Sequence, residues 1–166
     1  MKSIVVYKSG TGFTEKYAGW IADELKCEAV ELKDFTKFSQ SDFDLVVFGG
    51  WIMGGCLMGF DKIKVLNLKN LVVFGVGMSL PSEENRKKIV ELNVLDDENF
   101  FYLEGGYNPQ KLGFFKKLLM KMIKKSLENK VEKTKDDIHV LEAFSGVDNS
   151  DKASIKPLIE RCSSFL

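Results

Sequence analysis

The fold is decided by one stretch near the amino terminus, SIVVYKSGTGFT at residues 3–14. Its first part, Ser3–Tyr7, is a short β-branched run typical of a buried strand. Beyond the turn, the apolar residues of Thr14–Lys26 recur with a helical period, and Thr14 is the predicted N-cap. A strand, a glycine-rich turn and a helix therefore follow one another directly.

The same alternation continues along the chain. The further predicted strands are Glu28–Leu32, Asp44–Gly49, Leu71–Gly75 and Phe100–Leu103, and the further predicted helices are Ser82–Leu95 and Ser154–Phe165. Strands separated by helices indicate a parallel sheet with helices on both faces. We predict an α/β fold, a three-layer doubly wound five-stranded parallel sheet of order 2-1-3-4-5. Ligands of such sheets bind outside the carboxyl ends of the strands, between strands one and three.

Residues 105–150 are not accounted for by a fold of five strands and their connecting helices. Lys111–Lys130 has the pattern of a helix, and Ile138–Phe144 is predicted as a short extra strand. The helix would carry on one side Leu112, Phe115, Leu119, Met122 and Ile123. The segment is an insertion ahead of the last helix or a sixth strand–helix step. We expect one domain over residues 1–166, with 105–150 as the insertion.

Composition excludes several classes of protein. The 166 residues are 45% hydrophobic, and 24 basic and 24 acidic side chains give a formal net charge of zero. This balance argues against a nucleic-acid binder that works through overall charge. We expect neither a membrane span nor a signal peptide, because the sequence has no apolar run of about 18 residues and its first ten residues contain only a four-residue apolar run. Three scattered cysteines favour a reducing cytoplasm, with no disulfide or metal framework.

The turn Ser9–Thr14 has the residue types of a phosphate site. Its two glycines allow a tight turn and close approach of a ligand, and Ser9, Thr11 and Thr14 supply hydroxyl donors. The unpaired N–H groups of the first helical turn, at the positive end of the helix dipole, point into the same space. We predict a phosphate pocket that needs no charged side chain.

Two other phosphate motifs fit less well. The Walker string GxxxxGK[ST] does not occur in the sequence. The dinucleotide fingerprint GxGxxG finds two glycines in Gly10 and Gly12, but Glu15 takes the third place, where a carboxylate would lie close to a pyrophosphate. Glu31 could imitate the ribose-binding acid, so this alternative stays open, as does a plain glycine-rich turn.

The turn resembles the phosphate loop of the flavodoxin family, [ST]-x-T-G-x-T, at every fixed position. The resemblance implies non-covalent FMN, whose redox chemistry the protein orients, shields and tunes. It implies that the phosphate is held by Ser9, Gly10, Thr11, Gly12, Phe13 and Thr14. Many flavodoxins have Asn in place of Phe13, so one side-chain contact is expected to be missing.

By the same resemblance, a second loop, residues 49–56, reaches the flavin ring. Trp51 and Met53 suit a flat apolar ring; ordinary packing of Trp51 under the loop is the alternative. Gly54 or Gly55 would let a backbone group approach the flavin edge. The predicted contacts of this loop are Gly50, Trp51, Ile52, Met53 and Gly54.

The third loop, residues 77–81, follows predicted strand four. Flavodoxins often have acidic and aromatic residues here, whereas this chain has Met78 and Ser79. The difference affects the expected redox tuning more than the binding of the ring. The predicted contacts of this loop are Gly77, Met78 and Ser79.

Lysines surround the apolar side of the predicted helix Lys111–Lys130. They are Lys111, Lys116, Lys117, Lys121, Lys124, Lys125 and Lys130. A basic amphipathic helix lies on an anionic membrane or meets an acidic partner; a core helix with a solvated lysine face is the alternative. With Gly105-Gly106-Tyr107 before it, the segment resembles, in layout and composition, the insertion of the menaquinone-dependent protoporphyrinogen dehydrogenases. That resemblance implies a quinone acceptor and peripheral contact with the inner membrane surface.

Three functions fit this scaffold. They are an FMN-dependent oxidoreductase of the type just named, a flavodoxin-type electron carrier between protein partners, and a domain that binds another phosphate ligand without redox work. No general acid or base is predicted. His139, the single histidine, is expected on the surface or in packing, and the short acidic runs 96–98 and 136–137 in solvated loops.

Overall fold

A computed structural model describes residues 2–66 and 68–165 of the chain. The strands are β1 (Ser3–Lys8), β2 (Glu28–Glu31), β3 (Leu45–Met53), β4 (Cys56–Leu57), β5 (Leu71–Gly77) and β6 (Phe100–Glu104). The helices are α1 (Phe13–Leu25), α2 (Leu32–Phe35), α3 (Phe60–Ile63), α4 (Glu83–Asn93), α5 (Phe114–Glu128), α6 (Lys135–Ala143) and α7 (Lys156–Ser163).

Five parallel strands form the sheet in the order β2-β1-β3-β5-β6, and the short β4 pairs antiparallel with the end of β3. Since β5 and β6 are the fourth and fifth strands of the sequence pattern, the predicted order 2-1-3-4-5 is confirmed. The order reverses between β1 and β3, where Tyr7 lies opposite Gly49 and Lys8 opposite Gly50. The glycine-rich turn after β1 is therefore at the switch point.

Alternate residues of the central strands face two separate cores, which explains their continuously apolar runs. Val5 and Val47 face a core closed by α1 and α7, whereas Ile4 and Phe48 face a second core closed by α2, α3 and α4. The molecule is thus a three-layer α/β fold, as predicted.

Two helices begin at residues other than those predicted. Gly12, not Thr14, is the N-cap of α1, and Thr14 is buried within the first turn. The closing helix begins with a 3-10 turn, Lys152–Ile155, and Pro157 lies in the first turn of α7. Proline fits there because the first-turn N–H groups have no helical partner.

Residues 105–150 add two helices, α5 and α6, between β6 and α7. The predicted strand over 138–144 is wrong, because those residues belong to α6 and its C-cap. A capping box explains this: the Thr134 hydroxyl accepts from the Asp137 amide, and the Asp137 carboxylate accepts from the Thr134 amide. Within the described residues, no helix is long and apolar enough to cross a membrane.

Candidate functional site

The turn after β1 forms an uncapped helix start. Gly12 has φ 100°, a left-handed conformation that favours glycine, and its amide donates to the Ser9 hydroxyl at 2.9 Å. No side chain caps α1. The first-turn N–H groups of α1 therefore face the space in front of the turn without a protein cap.

A charged side chain reaches this turn from the insertion. A Cβ built on Gly12 would lie 3.0 Å from Nζ of Lys111. A charged side chain thus lies beside the turn, and the expectation that a phosphate needs none there stays a prediction. The sequence could not reveal this contact, because about a hundred residues separate the lysine from the turn.

The second predicted loop is largely strand. β3 continues through Gly50, Trp51, Ile52 and Met53, and a tight hairpin then leads into β4. Gly54 and Gly55 have φ values of 57° and 82°, as a two-residue type I′ hairpin turn requires. The glycine pair is therefore needed by the hairpin itself.

Asn93, at the end of α4, holds the hairpin in place. Its Nδ2 donates to the Gly55 carbonyl at 2.8 Å, and its Oδ1 accepts from the Leu57 amide at 2.8 Å. Sequence reasoning missed this residue, because nothing local distinguishes it from a helix-terminal Asn.

Trp51 joins the hairpin to the turn after β1. A Cβ built on Gly10 would lie 3.3 Å from Cε2 of Trp51, so the indole packs directly against that glycine. On α5, Lys116 places its Nζ 5.0 Å from the centroid of the Trp51 ring, within the range of a cation–π contact. The tryptophan is half-buried between these two groups.

Polar contacts from Tyr102, Asp136 and Asn85 fix the third loop. Tyr102 donates its phenol hydrogen to the Ser79 carbonyl at 2.9 Å, and burial raises the pKa of this phenol. The Leu80 amide donates to Oδ1 of Asp136 at 2.6 Å, and the same oxygen accepts from Nδ2 of Asn85 at 3.1 Å. Asp136 is half-buried in α6, so its prediction as a solvated loop residue is wrong.

These loops and the insertion enclose one cavity of about 500 Å³, a volume typical of small-molecule sites. The sequence-predicted residues that line it are Gly10, Thr11, Phe13, Thr14, Trp51, Ile52, Met53, Gly54, Gly77, Met78 and Ser79. Three predicted residues do not line it: Ser9 and Gly12 form the turn itself, and Gly50 is buried beneath Leu57 and Met58.

The insertion forms a roof over this cavity that sequence reasoning missed. The roof residues are Tyr107, Leu112, Lys116, Met120, Ile123, Val140 and Phe144. Tyr107 and Phe144 meet edge to face, with ring centroids 5.0 Å apart. Leu112, Lys116 and Met120 are spaced at i, i+4 and i+8, so they lie in one row along the predicted helix. This spacing was the sequence signal that could have indicated an inward-facing row.

The roof is anchored to α1 at its base. Phe13 packs against the glycine pair that opens the insertion: a Cβ on Gly106 would lie 2.9 Å from Cζ of Phe13. In the segment between α6 and α7, the carboxylate of Asp148 accepts a hydrogen bond from Nζ of Lys16 at 2.8 Å. Phe13 thus makes a packing contact where many flavodoxins have Asn.

His139 lies on α6 at the side of the roof. Its Nε2 is 2.6 Å from Oε1 of Glu104, which also accepts from Nδ2 of Asn149 at 2.6 Å. The histidine thus connects α6 to the end of β6.

A family model described as a flavodoxin domain matches residues 4–134. The chain belongs to the flavodoxin domain family. The matched span of this flavodoxin-domain protein contains all three loops and α5. Membership of the family implies FMN as the cofactor, as the resemblance of the turn Ser9–Thr14 predicted.

Solved structures with similar folds are distant in sequence. A flavodoxin from the domain Archaea is 18% identical, with 75% of this chain and 98% of that chain covered and a TM-score of 0.44. Flavodoxin 2 from Bacillus cereus is 17% identical, with 88% and 99% covered and a TM-score of 0.43. Rubredoxin oxygen:oxidoreductase from Desulfovibrio gigas is 14% identical, with 99% and 36% covered and a TM-score of 0.44. No curated protein is detectably similar in sequence.

The residues of this flavodoxin-domain protein fit FMN at both of its ends. The uncapped start of α1 and the Lys111 ammonium suit a phosphate. Trp51, Met53 and Met78 offer apolar surface to the ring. At Gly54, a built Cβ would have no neighbour within 4 Å, so the backbone of the hairpin is open to a ligand.

Proposed function

We propose that this flavodoxin-domain protein is an FMN-dependent oxidoreductase resembling the menaquinone-dependent protoporphyrinogen IX dehydrogenases. One observation carries the proposal: the cavity that holds the predicted cofactor contacts is roofed by the two insertion helices. A roof encloses a second small reactant and keeps water out. An electron carrier needs a flavin edge that a protein partner can reach.

The residues divide the work between the two ends of the cofactor. The turn Ser9–Thr14, with Lys111, would hold the phosphate, and the hairpin and the third loop would hold the ring. When bound, FMN supplies the redox chemistry. Asn93 and Asp136 fix the backbone of the two ring loops, and the roof would shield a bound ring from water.

The roof also has features that suit a porphyrinogen. Met120, Ile123, Val140 and Phe144 present apolar surface for a tetrapyrrole. Lys116 supplies positive charge at the same cavity, which suits the carboxylates of such a substrate. The overall reaction oxidises the porphyrinogen, and a quinone takes up its electrons and protons. A redox partner protein is the alternative acceptor.

The test begins with purified protein and FMN. We expect a visible flavin spectrum and quenched flavin fluorescence. Under anaerobic conditions, addition of protoporphyrinogen and a menaquinone should then produce porphyrin fluorescence. If the loaded protein only passes electrons between a reductase and an acceptor protein, it is a carrier. Binding of a phosphometabolite without any affinity for FMN would identify the non-redox domain.

A substitution in the roof separates the substrate compartment from the cofactor site. Ile123→Trp fills the apolar side of the cavity, so the KM for the porphyrinogen should rise while the affinity for FMN stays unchanged. Ser126→Trp, at an exposed position of the same helix, is the matched control. Equal KM values in the two variants would refute the placement of the substrate under the roof.

A further inference from the structure

The helix α5 carries a large apolar surface that the protein does not cover. None of its residues is buried. Five of its apolar side chains form two adjoining rows, here called the apolar rows: Phe114, Phe115, Leu118, Leu119 and Met122. Their exposed fractions run from 39% at Leu119 to 83% at Phe115. A contiguous exposed patch of this kind marks an interaction surface.

The predicted apolar side of this helix is in fact divided between two surroundings. Leu112 and Ile123 line the cavity, whereas Phe115, Leu119 and Met122 face outward. The cavity therefore accounts for the inward residues and leaves the apolar rows without a partner.

A row of lysines borders the apolar rows. Lys117, Lys121 and Lys125 recur at i, i+4 and i+8, which places them along one line on the helix; they are called the lysine row. All three are exposed. In the part of the chain that the structure describes, no carboxylate forms an ion pair with any of them.

The other lysines of the segment are engaged elsewhere. Lys111 reaches the turn at Gly12, and Lys116 lies over Trp51. Lys130 is 2.8 Å from Asp137, and Lys124 is 3.8 Å from Glu128. The lysine row is thus the positive charge that remains beside the apolar rows.

We propose that α5 docks on an anionic phospholipid bilayer, with the apolar rows at the boundary between headgroups and acyl chains. The lysine row would then lie among the anionic headgroups. Apolar area and positive charge on neighbouring faces of one helix are what such binding requires. An antiparallel two-fold pair of chains fits less well, because it would place the two lysine rows on the same side of the interface.

The test is flotation of the purified protein with vesicles. We expect the wild-type protein to float with vesicles that contain phosphatidylcholine and phosphatidylglycerol, and to float much less with phosphatidylcholine alone. Replacement of the lysine row by Gln should lower partitioning by about a hundredfold, or about fivefold per lysine. A control with the same change in net charge replaces three exposed lysines elsewhere: Lys62, Lys64 and Lys87.

The apolar rows are tested separately. Phe114→Ser with Phe115→Ser should abolish flotation, while Val65→Ser with Val94→Ser, at two exposed valines, should leave it unchanged. Binding of FMN by every variant reports that the fold is intact, and circular dichroism serves if FMN does not bind. The proposal is overturned if the wild type does not float, or if both lysine triple variants float alike. Concentration-dependent dimers without vesicle binding would overturn it in favour of a second copy.

Discussion

Replacement of Lys111 by Met should weaken the binding of FMN but leave the binding of riboflavin, which lacks the phosphate, nearly unchanged. Lys111 precedes α5 and extends its ammonium to the turn at Gly12, where a Cβ would lie 3.0 Å from Nζ. Met keeps most of the length and the apolar stem of the side chain. The substitution therefore removes the charge with little other change.

The size of the effect follows from the charge and the exposure of the lysine. Two unit charges 4 Å apart interact by about 1 kcal/mol in water, and a phosphate monoester carries about −1.5 to −2 charges at pH 7. Because Lys111 is exposed, the value for water applies. The expected loss is about 1.5–2 kcal/mol, which corresponds to roughly a ten- to thirtyfold rise in the Kd for FMN.

Quenching of flavin fluorescence measures both dissociation constants. The difference between wild type and variant should shrink with added salt, since the Debye length falls from about 10 Å at 0.1 M to about 3 Å at 1 M. Lys125→Met, on the outward side of the same helix, controls for net charge. Equal losses of FMN and riboflavin affinity, or no loss of either, would refute the placement of Lys111 at the phosphate.

Three further predictions concern the turn, the hairpin and the roof. Thr11→Ala removes a hydroxyl donor to a charged phosphate, a hydrogen bond worth about 1.5–3 kcal/mol. The Kd for FMN should therefore rise at least about tenfold in the same fluorescence titration. Thr11→Ser keeps the hydroxyl and should retain most of the affinity. Asn93→Leu removes both hydrogen bonds to the hairpin. Urea denaturation should show that the free energy of unfolding falls by about 1–3 kcal/mol. Unchanged stability together with unchanged amide exchange at Gly55 would contradict the role of Asn93 in holding the hairpin. Lys130, followed by the Thr134 amide, lowers the pKa of Asp137 to about 2 from 3.8, so the stability that this pair contributes is present at neutral pH and is lost as the pH falls from about 4 towards 2. Asp137→Asn should therefore reduce stability at pH 7 but not near pH 2, and a difference that is independent of pH would refute the ion pair.

The alternation of strands and helices was predictable because it depends on neighbours along the chain. β-branched runs, helical periods and the glycine pattern of the turn Ser9–Thr14 each have a local physical cause. The one wrong strand, over 138–144, shows the limit of this reasoning. An apolar run of that length suits either state, and the helix is selected by the capping box of Thr134 and Asp137.

The sequence by itself therefore determined the three-layer sheet, the turn at its switch point and the presence of a basic amphipathic helix. Only the tertiary structure decided which way that helix faces. Rotation about its axis depends on packing, so Lys111 and Lys116 lie at the cavity while the lysine row faces outward. The roles of Asn93 and Asp136 could not be predicted from the sequence. Their hydrogen-bond partners are distant along the chain, and only folding brings them within hydrogen-bond distance.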